Sequence, residues 1–65
     1  MLIQVNGKPR EVEAATLAAL LAELDYGDAT VATALNQSFV RATDRDTTTL
    51  ADGDAVEIVA PRQGG

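Results

Sequence analysis

At 65 residues and 6.8 kDa, the chain has room for one domain, and a core of that size is marginal without a partner or a staple. Ten acidic residues against five basic ones leave a net charge of −5 and a pI near 4.2, a balance that repels a phosphate backbone and excludes nucleic acid as an expected partner. With no cysteine and no histidine, the chain offers no disulfide, thiolate or imidazole, which removes most catalytic and metal-binding chemistry.

In chain order, Leu2-Ile3-Gln4-Val5 is short and apolar, and Asn6-Gly7 follows with the residues that best tolerate the positive φ angles of a type I′ turn. A hairpin is expected here, with its second arm over residues 8–13. Pro9 in that arm suits a strand start or an edge, because proline cannot donate to the ladder. Thr16 is placed to cap a helix, and Leu17, Leu20, Leu21 and Leu24 recur at the spacing of one helical face. Ala18, Ala19 and Ala22 favour the helix without bulk, and Gly27 is the expected left-handed stop. In so short a chain the leucine face belongs to the core.

Residues 30–36 alternate Val31, Thr33 and Leu35 against Ala32 and Ala34, the period of a half-buried strand. Asn36-Gln37-Ser38 turns the chain into a short strand at Phe39-Val40-Arg41, and residues 43–49 are too polar to be more than a loop or one helical turn. Asp52-Gly53-Asp54 signals a turn, and the β-branched residues 55–60 form a last, central strand. The order strand, strand, helix, strand, strand, strand predicts an α+β fold. A mixed sheet of about five strands carries one main helix on one face, with the first and last strands parallel at the centre. This is the β-grasp arrangement, assigned to residues 1–60.

Residues 61–65, Pro61-Arg62-Gln63-Gly64-Gly65, have nothing to anchor in a core and are expected to form a flexible tail. Five extended residues reach at most roughly 17 Å, enough to enter the cleft of another enzyme. Two final glycines add no width and accept any φ, which suits a carboxylate on Gly65 delivered through a narrow channel, with Gly64, Gln63 and Arg62 behind it. Apolar stretches fall far short of the ~20 residues that cross a bilayer, and no basic segment precedes an apolar run at the N-terminus. A soluble, cytoplasmic protein without a membrane partner is expected.

The chain resembles the ThiS family of small ubiquitin-like sulfur carriers over nearly its whole length. The resemblance is carried by Val5-Asn6-Gly7-Lys8, Thr16-Leu17-Ala18-Ala19-Leu20-Leu21, Ala34-Leu35-Asn36, Phe39-Val40-Arg41, residues 50–58 and Gly64-Gly65. One departure is that Arg41 follows Val40 directly, where the family often has an intervening proline. The resemblance implies a carrier that is not itself an enzyme and binds no cofactor or metal. A ubiquitin-activating-like enzyme (ThiF in the family) uses ATP to adenylate the Gly65 carboxylate. Sulfur from a persulfide donor then makes a thiocarboxylate, and thiazole synthase (ThiG) receives the sulfur for thiamine biosynthesis. Other readings of the same features are a molybdopterin synthase small subunit, a ubiquitin-like protein modifier and a non-catalytic β-grasp interaction module. Partner binding is expected on the sheet face away from the helix. Val56 and Ile58 have core parity, which leaves Glu57 and Val59 outside, with Phe39 or Val40 beside them.

Overall fold

The computed structural model describes residues 1–27 and 29–60. Its elements are β1 (Leu2–Val5), β2 (Lys8–Glu11), α1 (Leu17–Glu23), β3 (Ala32–Leu35), β4 (Ser38–Val40), a 3-10 helix (Ala42–Thr47) and β5 (Ala55–Val59). One five-stranded sheet runs in the order β2-β1-β5-β3-β4. Strands β1 and β5 are parallel, and every other neighbouring pair is antiparallel. The β-grasp topology expected from the element order is therefore the one observed.

The first hairpin closes through Asn6 and Gly7 at φ 52° and 82°, as its turn chemistry requires. Pro9 lies opposite Gln4 on β2, an edge strand, where a missing N–H leaves no ladder bond unmade. The strand ends at Glu11, earlier than the pattern suggested, because Val12 and Ala14 turn into the core. The freed backbone finds a partner on the helix: the Glu23 carboxylate accepts from the N–H of Glu13 at 3.1 Å and of Ala14 at 2.9 Å. That carboxylate ties the connection to the last turn of α1.

Thr16 caps α1 as expected, its hydroxyl accepting from the Ala19 N–H at 3.1 Å. Leu17, Leu20 and Leu21 are buried and Leu24 is half-buried against the same cluster. They meet Ile3, Val56 and Ile58 from the sheet, so the predicted leucine face is core. The end of the helix differs from expectation. Leu24 is the C-cap, and Asp25 rather than Gly27 is the residue just beyond it, at φ 66°. The Asp25 N–H donates to the Ala22 carbonyl and the Tyr26 N–H to the Leu21 carbonyl, the paired bonds of a Schellman motif. Tyr26 packs against the core, and that apolar contact selects the stop two residues before the glycine.

The second hairpin repeats the first. Asn36 and Gln37 both take positive φ, at 49° and 73°, between the paired residues Leu35 and Ser38. Thr33, buried on β3, donates its hydroxyl to the Val40 carbonyl at 2.9 Å and accepts from Arg45 Nε at 3.0 Å. Arg45 Nη2 also donates to the Val31 carbonyl at 2.7 Å. These bonds pull the polar stretch after β4 against the sheet, and it forms six residues of 3-10 helix. That is about two turns at three residues each, where a loop or one turn was expected.

Four non-glycine residues sit at left-handed angles that L-residues resist by roughly 1–2 kcal/mol, and two of them, Asp25 and Gln37, are not the asparagines of the hairpin turns. Asp25 also places a negative charge at the negative end of α1. Asp25→Gly and Gln37→Gly should each raise stability by about 0.5–1 kcal/mol after the entropy of glycine is subtracted. Thermal unfolding should register each as an upward shift of about 2–8 °C. A fall in midpoint for both would show that their side chains hold contacts worth more than the strain.

Candidate functional site

With α1 on one face, the other face of the sheet is left to solvent. Pairing brings three strands together there: Ala34 of β3 stands between Glu57 of β5 and Phe39 of β4, and Ala32 pairs with Val59. Phe39 is 70% exposed and Val59 62% exposed, high values for large apolar side chains. The alanines between them are too short to fill the space, so Phe39 and Val59 stand proud of a shallow floor. Neighbouring strands lie about 4.8 Å apart, so the group forms one contiguous apolar patch rather than scattered exposed residues.

Glu57 is exposed beside Ala34, and among the described residues it forms no salt bridge. It gives the patch a carboxylate that a basic group on a partner would complement. Arg41 follows Phe39 by two residues, just past the end of β4, and its guanidinium approaches Asp44 at 3.6 Å with both side chains mostly exposed. Such a pair holds the side chain only weakly. The Arg41 backbone at φ −67° and ψ 154° is a conformation that proline shares. Strand β4 thus ends here as an intervening proline would end it.

Three of the four residues expected on the docking face, Phe39, Glu57 and Val59, lie on the sheet face away from the helix. Val40 does not. It pairs with Thr33 on the opposite face and is half-buried against the core, because successive strand residues alternate sides. The sequence reading did not draw Ala32 and Ala34 into the patch. Their period-two spacing placed them on this face, but only the pairing of β3 with both β4 and β5 sets them between Phe39 and Val59. The predicted tail residues Arg62, Gln63, Gly64 and Gly65 lie outside the described residues.

At the other end of the sheet, the Met1 ammonium donates to Glu11 Oε2 and to the Val12 carbonyl, each at 2.8 Å. The Glu11 hydrogen bond raises the pKa of that amine above its usual value, against a smaller opposing effect of desolvation. The described residues form no pocket and no cluster of acidic side chains able to hold a metal ion. No helix among them is long and apolar enough to cross a membrane.

A family model described as the ThiS family matches residues 3–65. The chain belongs to the ThiS family. It is 38% identical to the sulfur carrier protein ThiS of Thermus thermophilus over 64 residues, 98% of this chain and all of that protein. The crystal structure of the thiamine biosynthesis protein ThiS from Geobacter metallireducens superposes with a TM-score of 0.83 at 38% identity, with both chains fully covered. A solution structure of a thiamine biosynthesis protein from the same organism gives 0.82 at 36% identity, covering all of this chain and 88% of that one. Membership of the ThiS family implies partner enzymes in sulfur transfer.

The exposed patch and the half-buried Val40 make opposite forecasts. Phe39→Ala with Val59→Ala should leave stability within about 0.5 kcal/mol while weakening binding to a partner enzyme by about tenfold, as loss of an aromatic anchor does. Val40→Ala should do the reverse, lowering stability by roughly 1 kcal/mol with little effect on binding. Calorimetric titration and thermal unfolding of the variants separate the two. Unchanged affinity in the double variant would remove the outer face as the docking surface.

Proposed function

We propose that this ThiS-family chain is a sulfur carrier of thiamine biosynthesis that holds its sulfur as a thiocarboxylate on Gly65. The observation that carries the reading is the family match, which runs through the final Gly64-Gly65 and is joined by full-length relatives at 38% identity. The carrier is a substrate of other enzymes and not a catalyst.

The residue inventory suits that division of labour. A free carboxylate is a poor electrophile, because its negative charge repels a nucleophile and its oxygen is a poor leaving group. A ubiquitin-activating-like enzyme of the ThiF kind corrects both defects. It directs the Gly65 carboxylate at the α-phosphorus of ATP, pyrophosphate leaves, and the acyl group becomes an adenylate. A persulfide sulfur then displaces AMP, and a thiol cleaves the resulting sulfur–sulfur bond to leave the thiocarboxylate. A thiazole synthase of the ThiG kind accepts the sulfur. Beyond the terminal carboxylate itself, none of these steps asks the carrier for a base, a metal or a side-chain nucleophile, in keeping with a chain that has no histidine and no cysteine.

Two enzymes handle the same acyl group in turn, so the carrier has to be recognised twice through what it exposes. The Phe39, Val59 and Glu57 face is the surface this reading assigns to both encounters, and Arg62 supplies a charge for acidic groups at an enzyme's entrance. Net charge of −5 favours partners with basic docking surfaces and speeds their encounter at low salt.

Incubation with the cognate activating enzyme, ATP and a persulfide donor should raise the intact mass by the difference between one sulfur and one oxygen atom. Ladders of conjugates on other proteins would point instead to a modifier, and an unchanged mass with a competent enzyme would overturn the proposal. Deleting Gly65 should abolish adenylation while leaving the melting temperature unchanged, because no core residue is touched.

A further inference from the structure

The last strand is held at each end by an asparagine side chain that stands in for backbone. At one end, Asn6 Oδ1 accepts from the Ile58 N–H at 2.8 Å and Asn6 Nδ2 donates to the Ile58 carbonyl at 3.1 Å. The Asn6 N–H also donates to the Val56 carbonyl at 2.9 Å. Strand β1 has already ended at Val5, so the amide of Asn6 continues the parallel ladder one step beyond the last residue β1 can offer. At the other end, Asn36 Oδ1 accepts from the Ala55 N–H at 2.9 Å, and the Asn36 N–H donates to the Ala55 carbonyl at 2.7 Å. Both asparagines occupy the same position of a two-residue hairpin turn at nearly the same φ, 52° and 49°.

The two clamps differ in what lies beyond them. Asn36 grips the start of β5, next to the turn at Asp52-Gly53-Asp54. Asn6 grips Ile58, one residue before the end of β5 and the point from which the chain continues toward Gly65. On the side of β3, Val59 is paired with Ala32, so Asn6 is what holds the other side of the strand's final turn-out.

We infer that Asn6 is a positioning residue for the reacting terminus: its amide fixes where β5 ends and therefore the point from which the chain sets out toward a partner's active site. This rests on the reading of Gly65 as the loaded group. If the amide is lost, Ile58 has an N–H and a carbonyl without partners on that side, and the end of β5 frays. Each residue freed adds about 3.5 Å of reach, so the carboxylate no longer arrives in register with an enzyme docked on the sheet. Each freed residue must also be ordered again on every encounter. Phe39 on β4 lies away from the frayed end and keeps its place, while Glu57 and Val59 adjoin Ile58, so docking weakens in part. The loss therefore falls more heavily on turnover than on binding.

Glycine tolerates the positive φ of both turns, so Asn6→Gly and Asn36→Gly preserve each hairpin and remove only the amide. Carrier-dependent pyrophosphate release by the cognate activating enzyme reads kcat and KM for each. Asn6→Gly should lower kcat by about tenfold or more, a larger factor than any rise in KM, the pattern of lost positioning. Asn36→Gly should destabilise the fold comparably yet leave kcat within about twofold of the unaltered carrier. Amide exchange at Ile58 should accelerate by about tenfold in Asn6→Gly alone, which reports the local opening independently of any enzyme. Equal kcat for the two variants would overturn the inference and leave Asn6 a fold residue. An inert unaltered carrier would instead count against Gly65 as the loaded group, while the exchange rate at Ile58 still tests the clamp.

Discussion

Every level of this fold depends on satisfying both sides of β5. The strand runs parallel to β1 and antiparallel to β3, at the centre of the sheet, where an unpaired N–H or carbonyl has no water to turn to. A parallel pair also requires a long crossover, and the segment between β1 and β5 is nearly the whole chain. The two strands that flank β5 are too short to cover it. Asn6 and Asn36 supply the missing backbone groups from their side chains, and each does so from a turn its own conformation helps to close. Turn chemistry and sheet completion are thereby the same event.

One helix covers one face, and this asymmetry leaves the other face of the sheet exposed. A chain of 65 residues has too little surface to cover the sheet twice, so the core is built from the leucines of α1, inner residues of β1 and β5, and Val12, Ala14, Val31 and Leu50 from the connections. The outer face is left with alanines, a phenylalanine and a valine. Monomers tolerate single exposed apolar residues, but a contiguous group on rigid strands is a surface ready to be covered at little entropic cost. The same economy that limits the core thus leaves the outer face uncovered.

The carrier reading divides the work between a rigid body and a reacting terminus. Rigidity comes from the paired strands, the capped helix and the bonds that Arg45 makes to Thr33 and Val31. In that reading, reactivity comes from enzymes that activate the acyl group. An anchor at the junction lets a docked body deliver a defined length of chain, and Asn6 occupies that junction.

Much of this was legible in the residues themselves. Periodicity found α1 and the strands, Asn6-Gly7 marked its turn, Thr16 its cap, and the parity of residues 56–59 told inside from outside, because these signals act between residues close in sequence. The family resemblance was legible too, since it resides in the order of short motifs. What depended on distant contacts was not. Tyr26 packing on the core moved the helix stop from Gly27 to Asp25, and Arg45 drew a polar stretch into 3-10 helix. Ladder parity turned Val40 inward, and strand order set Ala32 and Ala34 between Phe39 and Val59. Composition and spacing determined which elements form and which faces they hide. Only the assembled sheet decided which residues become neighbours, because a hydrogen bond such as that from Asn6 to Ile58 joins positions fifty-two residues apart that no local pattern connects.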